Sequence, residues 1–502
     1  MNREGFQEAL TEIFRYKMDN SIVPGMLEYV KNADGMYYPK EFFPEGIVTP
    51  ETIDAGIARF SAHSNWIRGF MERVNSNKNF TDWQKEFLDN ITTMMLKHLE
   101  CFQNAIFLEA EKCGIELSDA DRKKYLDEVN SLQNDYYGPE ISAIPEEKAL
   151  VGEQLEEIFQ KNKEKISHEE CVIFEKFLQK SGFNQENPKK EESSEVTLRK
   201  EKSENLKQIF LKEPESEIVE ILKMVLDLYE MRDWTVEVNE NRKMFSVHYD
   251  AKKIILPKNK LSSTSLFHLL ELMDHEIGVH AIRGVNTLAT LQIAGMSYLP
   301  HEEGMAATAE DMLVHDMATI EPKITHHHLI SFIAENLDST ETEQMLKIYF
   351  QLTDEPEYDK MAHDWTMRIK RFVSHKMPGA NRKDVSYSRG NRDIVKKLTS
   401  LSADERKKFL QDYYFSKLSF DDQKFLPELR KLFPESEQNS LYPQWVGKIL
   451  FRKLIGEKIF FQDFTEKDGR FVHNVNSETQ RKIVKILQKI QTIPTIQTNI
   501  SQ

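Results

Sequence analysis

The hexapeptide HEIGVH at residues 275–280 is the stretch from which the fold and chemistry of this 502-residue chain can be interpreted. It lies inside a long apolar segment that begins near Leu266, and the Ser-Ser-Thr run at residues 262–264 is typical of a helix N-terminus. Two histidines with a glutamate after the first are the side chains that many hydrolases use to bind zinc and activate water. Because burying imidazoles and carboxylates without partners is costly, their place in an apolar helix favours a metal site.

The spacing of the two histidines departs from the common motif, in which they are four residues apart. His275 and His280 are five apart, and five residues of an ideal helix turn about 500°, which leaves the two rings roughly 140° apart. Rings so far apart cannot share a metal. The sequence therefore predicts a local π-type turn, whose i→i+5 pairing returns both rings to one side. Gly278 lies inside the motif, where a residue without Cβ tolerates this distortion.

A second polar group follows at residues 301–306, where HEEGMA opens another predicted helix. Zinc hydrolases bind the metal through three protein ligands and leave one position for water, and a carboxylate from a second helix is a common third ligand. Glu303 is the predicted third ligand, with its neighbour Glu302 as the alternative. Glu276, next to His275, is then predicted to take the proton from the bound water.

The rest of the chain divides at a polar and highly charged segment, residues 184–205, which is typical of a solvated linker. Before it, residues 1–183 repeat apolar side chains at helical spacing and are predicted to form an N-terminal helical domain. After it, residues 206–490 are predicted to form a zinc metallopeptidase domain with a helical C-terminal part.

Three short segments of strand character precede the motif, at residues 234–238, 244–249 and 253–256. The short polar connections between them favour a small antiparallel sheet. The predicted fold class is therefore α+β and mostly helical. In this prediction a zincin-like metallopeptidase domain contains the antiparallel sheet and is preceded by the helical domain.

The amino-acid composition indicates which kinds of partner and which cellular compartment to expect. The chain carries 82 Asp and Glu against 67 Lys and Arg, a formal charge of −15, which disfavours nucleic acid as a partner because polyanions are repelled. Three cysteines, an odd number, are consistent with a reducing compartment. The charged N-terminus lacks the apolar core of a signal peptide, and no apolar run reaches the roughly 18 residues that span a bilayer. We therefore expect a cytoplasmic protein without a membrane partner.

Three ordered motifs give the chain a resemblance to a known family. HEIGVHAIRGVN, starting at residue 275, matches HEIGTHxLR…N, and EEGMA at residues 302–306 matches (Q/E)EGLA. RKDVSYSRG at residues 382–390 matches a TKDxxYLxG-like segment. Over roughly residues 206–454 the sequence therefore resembles the tyrosine carboxypeptidase family, which includes the microtubule-associated tubulin detyrosinase and bacterial proteins named for a QEGLA motif.

The resemblance implies zinc bound by His275, His280 and Glu303, with Glu276 as the catalytic base. It also implies removal of the C-terminal residue of a protein or peptide, with a preference for a terminal aromatic residue such as tyrosine. Residues 380–382 depart from the family pattern at the presumed substrate loop. Substrate preference is therefore the property of the family that can least be expected of this chain.

Residues 366–397 contain ten Lys and Arg against two Asp, a local basic excess in an acidic chain. Cations near the metal of a carboxypeptidase bind the terminal carboxylate of the substrate through charge-assisted hydrogen bonds. Lys383, Arg371 and Arg389 are the predicted substrate-binding residues, and Tyr387 is a predicted catalytic donor to the developing oxyanion. A solvated basic helix face accounts for about half of these charges.

The sequence thus predicts a zinc-dependent peptidase, with a metallocarboxypeptidase as the leading hypothesis. An endopeptidase or an aminopeptidase with the same zinc site is the alternative among enzymes. A binding protein that keeps zinc for structure, with the N-terminal helices recognising a partner, is the alternative from another class.

Overall fold

The computed structural model describes residues 3–19, 29–31, 37–40, 42–182, 193–211, 213–242, 244–290, 298–434, 441–457 and 477–491. Most of these residues are helical and two small sheets accompany the helices, so the chain is α+β and mostly helical, as predicted. In chain order, the α-helices of the described ranges are α1 (Arg3–Asp19), α2 (Pro50–Ser76), α3 (Asp82–Lys112), α4 (Asp119–Tyr137), α5 (Pro145–Asn162), α6 (His168–Lys180), α7 (Ser194–Lys207), α8 (Pro214–Leu228), α9 (Lys258–Leu261), α10 (Leu266–Leu272), α11 (Ile282–Thr290), α12 (Leu299–Asp311), α13 (His326–Glu335), α14 (Ser339–Leu352), α15 (Tyr358–Ile369), α16 (Ser386–Ser400), α17 (Ala403–Tyr413), α18 (Leu426–Leu432), α19 (Val446–Leu454) and α20 (Ser477–Gln491).

Five strands form the two sheets: β1 (Tyr29–Lys31), β2 (Tyr37–Pro39), β3 (Thr235–Asn239), β4 (Ser246–His248) and β5 (Lys253–Pro257). β1 and β2 pair as an antiparallel ribbon, and the other three strands form a sheet in the order β3-β5-β4.

The three-stranded sheet differs from the predicted antiparallel arrangement. β4 and β5 pair antiparallel as expected, but β3 and β5 pair in parallel, so the sheet is mixed. The physical reason is the burial of β5, in which Ile254, Ile255 and Leu256 are all buried, while β4 is half-exposed throughout. A continuous apolar run suits a central strand that is covered on both faces, so β5 takes the middle and β4 the edge.

The chain forms two compact units. The first unit consists of residues 1–189 and 324–388, and the second unit consists of residues 190–323 and 389–502. This division differs from the predicted domains, because residues 324–388 belong with the N-terminal part although they follow the HEIGVH motif. α16 begins in the first unit and ends in the second.

Packing in the first unit explains why residues 324–388 belong to it. Fully buried side chains of α13, such as Phe332 and Ile333, share one apolar cluster with α5 and α6. The ring of Phe332 packs edge-on against that of Phe177, with centroids 6.2 Å apart. This long-range burial has no signature in the local sequence pattern.

The second unit is built around the helix that contains the HEIGVH motif. Its apolar cluster includes Leu269 and Leu270 of α10, Ile254 of β5, and Trp445 and Ile449 near α19. Gly447 lets α19 cross α10 closely, since a Cβ at that position would lie 2.0 Å from the Leu270 carbonyl oxygen.

Part of the predicted linker is helical. Residues 183–192 lie outside the described ranges, but residues 194–205 are part of α7, whose N-cap is Ser193. Arg199 is buried on α7, and its guanidinium contacts Glu457 at 2.7 Å and Asp316 at 3.2 Å. Of the buried side chains of α7 only Val196 and Leu206 are apolar, so its hydrophobicity pattern is sparse and did not predict a helix.

Within the described ranges, no helix combines the length and the apolar character that crossing a bilayer requires.

Candidate metal centre

The motif histidines lie on a continuous helix that changes its hydrogen-bond pairing as it passes through them. α10 ends at Leu272, a π-helix covers Met273–Ala281, and α11 begins at Ile282. In this widened turn the ring centroids of His275 and His280 are 5.0 Å apart and their Nε2 atoms are 3.3 Å apart. The predicted π-type turn is therefore confirmed.

Side chains from elsewhere in the second unit hold the π-helix. The Tyr414 hydroxyl donates to the Gly278 carbonyl at 3.0 Å. Asp274 accepts hydrogen bonds from the backbone N–H groups of Gly447 and Lys448 at 2.9 and 2.8 Å, at the N-terminus of α19. A Cβ on Gly278 would make only ordinary contacts, the nearest at 3.7 Å, so the space around this residue does not require glycine.

α12 brings a carboxylate to the two imidazoles. One ligand atom from each of His275, His280 and Glu303 lies within 4.8 Å of the other two, and Glu303 Oε2 is 3.7 Å from His280 Nε2. Among the residues that the structure describes, no other three His, Cys, Asp or Glu side chains converge in this way. Two imidazole nitrogens and a carboxylate oxygen form a donor set that divalent transition metals accept.

Each histidine is oriented by a second carboxylate. His275 Nδ1 is 2.7 Å from Glu310 Oε1, and His280 Nδ1 is 2.7 Å from Glu302 Oε1. Because an ionised carboxylate only accepts hydrogen bonds, each Nδ1 carries the proton and donates. The two Nε2 atoms lie 3.3 Å apart, and once they are unprotonated, as metal ligands must be, both offer a lone pair to the same cation. The geometry therefore fits a bound metal ion, with ligands oriented as in known metal sites.

Both carboxylate oxygens of Glu302 accept hydrogen bonds from protein groups, so Glu302, the alternative third ligand in the sequence analysis, does not face the two Nε2 atoms. Its Oε1 also accepts from Lys417 Nζ at 2.7 Å, and its Oε2 accepts from Arg283 NH1 at 3.1 Å. Burial alone would raise the pKa of Glu302. The charge of Lys417, the hydrogen bond that His280 donates and the charge of Arg283 together outweigh the effect of burial, and they hold the pKa of Glu302 well below its usual range. Glu302 is thus a permanently charged group that orients His280, while Glu303 faces the two Nε2 atoms.

A second lysine supports the carboxylate that orients His275. Lys323 Nζ lies 3.5 Å from Glu310 Oε2 and 2.7 Å from Asp311 Oδ1. Burial raises the pKa of Asp311 to about 6, although Lys323 acts in the opposite direction. The two imidazoles are therefore held by the same kind of arrangement, a carboxylate paired with a lysine.

Glu276 is buried, with 9% of its surface exposed, and lies directly after His275 on the π-helix. Within the described part of the chain its carboxylate takes part in no hydrogen bond or ion pair. Its negative charge acts on the His275 imidazole. Glu276 therefore places a carboxylate near the candidate ligands, and the oxygens of this carboxylate are not used to stabilise the described structure.

Close backbone packing fixes the position of Glu303. The residue after it, Gly304, contacts α16 so closely that a Cβ would lie 2.0 Å from the carbonyl carbon of Gly390. A Cβ on Gly390 would in turn lie 1.7 Å from the Pro300 carbonyl oxygen. Only glycine fits at both positions, and this contact holds α12 in place.

The predicted substrate-binding and oxyanion residues are divided between the two compact units. Arg389 belongs to the second unit and is buried in α16. Tyr387, Lys383 and Arg371 belong to the first unit, where the Tyr387 ring packs edge-on against His327 with centroids 4.7 Å apart. Lys383 lies in a short 3₁₀ helix and Arg371 follows α15, and both are half-buried. The substrate-binding and oxyanion roles of these residues stay predictions.

The sequence interpretation missed several residues that support the candidate ligands. Glu310 follows Glu303 by seven residues on α12, a spacing that places both on one helix face, so helical periodicity could have identified it. Lys417 is 115 residues from its partner Glu302 along the chain, and no local pattern indicated it. Tyr413 was also missed; its hydroxyl is 3.0 Å from Arg283 NH1, and its ring lies under that guanidinium at 4.0 Å.

Comparisons of the chain with protein-family profiles, with curated proteins and with solved structures gave no match.

Proposed function

We propose that the protein is a zinc-dependent peptidase, and that it acts as a carboxypeptidase on the C-terminus of a protein or peptide. The single observation that supports this proposal most is the arrangement of His275, His280 and Glu303, whose ligand atoms lie within 4.8 Å of one another. The hydrogen bond from each histidine Nδ1 to a carboxylate adds to it. Three nitrogen and oxygen donors, which leave a fourth coordination position for water, are typical of catalytic rather than structural zinc sites.

In the proposed mechanism His275, His280 and Glu303 would hold a zinc ion. When bound, zinc would supply Lewis acidity towards the peptide carbonyl and the attacking water. Glu276, whose carboxylate is otherwise unengaged, would serve as the base that takes a proton from the attacking water and passes it to the leaving amine. Glu302 and Glu310 keep the two imidazoles in the tautomer that presents Nε2 to the metal.

The resemblance to tyrosine carboxypeptidases supports action at a C-terminus. In this proposal Lys383, Arg371 and Arg389 of the basic segment bind the terminal carboxylate of the substrate through charge-assisted hydrogen bonds, and Tyr387 donates to the oxyanion. The resemblance also suggests a zincin-like domain and a preference for a terminal aromatic residue. Kinetics of single substitutions at the four positions test the four roles individually.

The deciding experiment has two parts, metal content and peptide cleavage. Elemental analysis of the purified chain is expected to find about one zinc per chain, and a His275→Ala variant none. The zinc-loaded chain is then incubated with peptides that differ in their last residue, and mass spectrometry is expected to find loss of that single residue. Absence of a stoichiometric transition metal would overturn the proposal.

Two further tests separate the alternatives. Peptides with an amidated C-terminus should resist a carboxypeptidase, whereas an endopeptidase or an aminopeptidase with the same zinc site would still cleave them. Glu276→Gln should lower kcat by at least about a hundredfold, the range in which general-base residues contribute, while zinc content is unchanged. Glu220→Gln, a substitution on the exposed side of α8 in the same unit, is the matched control and should retain activity. A Glu276→Gln variant with full activity would favour a structural role for the metal.

A further inference from the structure

The chain passes from one compact unit to the other at three places, after residues 189, 323 and 388. The first place lies outside the described ranges, and residues 323–325 and 388–391 form the other two, which we call the two passages. Within the first unit, the Thr325 N–H donates to Ser388 Oγ at 2.8 Å, and the two hydroxyl oxygens are 2.8 Å apart. Within the second unit, the Lys323 N–H donates to Asn391 Oδ1 at 3.0 Å. The two passages are therefore tied to each other on both sides of the division.

Asn391 also joins the passages to α12, the helix that carries Glu303. Its side chain is fully buried, and its Nδ2 donates to Thr308 Oγ1 at 3.0 Å. The Thr308 hydroxyl, which is buried as well, donates to the Gly304 carbonyl at 2.7 Å. Because the amide oxygen accepts from Lys323 while the amide nitrogen donates to Thr308, both ends of the Asn391 side chain are fixed.

Lys323 reaches the other end of α12 with its side chain. Its ammonium group is 2.7 Å from Asp311 Oδ1 and 3.5 Å from Oε2 of Glu310, the carboxylate that orients His275. Burial lowers the pKa of Lys323, but the charges of Asp311 and Glu310 outweigh burial and hold the pKa above its usual range. The ammonium group therefore stays charged and holds this end of α12 as well.

α12 supplies the metal centre with two carboxylates, and the passages are fastened to the helix close to both. Glu303 faces the two Nε2 atoms, and Glu310 orients His275. Thr308 lies between these glutamates in the sequence, and Asp311 directly follows the second. Metal–ligand distances tolerate a change of only about 0.2 Å. A small shift of the passages that moves α12 therefore changes the fit of the site to a metal ion.

We propose that Asn391 is a positioning residue of the metal centre, and that it couples zinc affinity to the course of the chain between the two units. The inference rests on the metal site of the proposed function and adds its regulation. A displacement of the passages moves α12 and with it Glu303 and Glu310, which weakens zinc binding. Bound zinc in turn holds the passages in place, because coupling between two sites is reciprocal.

Substitutions of Thr308 test this coupling without changing any charge near the metal. Thr308→Val keeps the shape of the side chain but removes the hydroxyl that accepts from Asn391, whereas Thr308→Ser keeps the hydroxyl and removes a methyl group. Zinc affinity, measured by competition with a chromophoric chelator, should fall about tenfold in Thr308→Val and stay within about threefold in Thr308→Ser. The visible absorption of the chain loaded with Co²⁺, which reports ligand geometry, should change in Thr308→Val alone.

Thr92→Val is the matched control. Thr92 is buried in α3 of the first unit, and its hydroxyl donates to the Leu88 carbonyl four residues earlier at 2.9 Å, as the Thr308 hydroxyl does to Gly304. Thr92→Val should leave zinc affinity unchanged. Urea unfolding of the metal-free variants separates the two roles, because a merely structural hydroxyl lowers stability and leaves the zinc affinity of the folded chain as it was.

Hydrogen exchange of the unmodified chain tests the reciprocal effect and needs no variant. The N–H groups of Lys323 and Thr325 each donate to a side chain of the other passage, so their exchange reports directly on the tie between the passages. Removing zinc with a chelator should speed their exchange at least about threefold. The response should disappear in Thr308→Val, even when the reference sample of the variant is saturated with zinc.

Three outcomes would each overturn this inference and leave the proposed peptidase in place. They are an unchanged zinc affinity in Thr308→Val, an equal loss of affinity in Thr308→Ser or Thr92→Val, and exchange at the passages that does not respond to zinc. An unmodified chain that binds no zinc would overturn both the inference and the proposed function. A chain that binds zinc and responds as expected, but cleaves no peptide, would support the inference and contradict the peptidase.

Discussion

At the scale of single residues, Glu302 and Glu303 are neighbours in the chain but have different surroundings. Glu302 is buried between His280, Lys417 and Arg283, and accepts a hydrogen bond from each. Glu303 is near the two Nε2 atoms and contacts His280 at 3.7 Å. A buried charge between cations is needed for stability whether or not a metal is bound, whereas a metal ligand is needed only for the metal.

The first prediction follows from this difference. Glu302→Gln leaves Lys417 and Arg283 without their buried counter-charge, so we expect a loss of about 3–5 kcal/mol in the free energy of unfolding. Zinc affinity should fall about 10–100-fold, because His280 is no longer held. Urea unfolding of the metal-free chain and competition with a chromophoric chelator measure the two effects.

Glu303→Gln is the matched comparison for that prediction. It should weaken zinc binding by more than Glu302→Gln does, yet change the stability of the metal-free chain by less than about 1 kcal/mol. If both variants destabilise the metal-free chain equally, the different assignments of the two glutamates are wrong.

A second residue-scale prediction concerns Glu335 in the first unit. Burial raises the pKa of Glu335 to about 7, although it accepts hydrogen bonds from the backbone N–H groups of Ser142 and Ile141. Its folded-state pKa thus exceeds the ordinary value of 4.5, and the folded chain binds more protons between these values. The stabilisation is fully present below pH 4.5 and is lost as the pH rises through 7.

Glu335→Gln mimics the protonated form and isolates this effect. Relative to the variant, the unmodified chain should lose about 1–3 kcal/mol of stability between pH 4.5 and pH 8. Urea titrations of both proteins across this range measure the difference. Stability curves that run parallel with pH would contradict the assignment of the shift to Glu335.

At the scale of secondary-structure elements, two glycines near the candidate ligands differ in what surrounds them. Gly278 lies in the π-helix, and a Cβ there would make only ordinary contacts at 3.7 Å or more. Gly304 lies in α12, where a Cβ would lie 2.0 Å from the backbone of Gly390. The π-helix thus has space for a side chain, while the crossing of α12 and α16 has none.

The third prediction contrasts these glycines. Gly278→Ala should be neutral or stabilise the chain by up to about 1 kcal/mol, since alanine favours helix over glycine, and zinc affinity should stay within about threefold. Gly304→Ala forces α12 away from α16 and should displace Glu303, with destabilisation of at least about 2 kcal/mol and loss of zinc binding. Thermal unfolding and zinc titration of both variants test this, and a disruptive Gly278→Ala would mean that the π-helix itself requires glycine.

The same elements show how far the sequence can be interpreted without coordinates. The five-residue spacing of His275 and His280 was enough to predict the π-type turn, because helix geometry allows no other way to bring the rings together. The parallel pairing of β3 with β5 was not predictable, since local alternation does not specify a strand's neighbour. α7 was missed because only two of its buried side chains are apolar, and the charged Arg199 is buried with them.

At the scale of the whole molecule, each compact unit has an apolar cluster of its own. The cluster of the second unit includes side chains of α10, the π-helix and α19, and the cluster of the first unit includes side chains of α5, α6 and α13. All three candidate ligands belong to the second unit. A ligand stabilises the part of a protein whose folded state creates its site, by RT ln(1 + [L]/Kd).

The fourth prediction is that zinc protects one unit selectively. Removing zinc with a chelator should speed amide hydrogen exchange in peptides from residues 266–290 and 298–311, by an amount that grows with the zinc concentration of the reference sample, and should leave residues 326–352 unchanged. Exchange followed by mass spectrometry resolves the two segments within one experiment. A His280→Ala chain, which cannot respond to chelator, is the control. Equal acceleration in both segments would mean that the units unfold together and that local stabilisation by the metal does not describe this molecule.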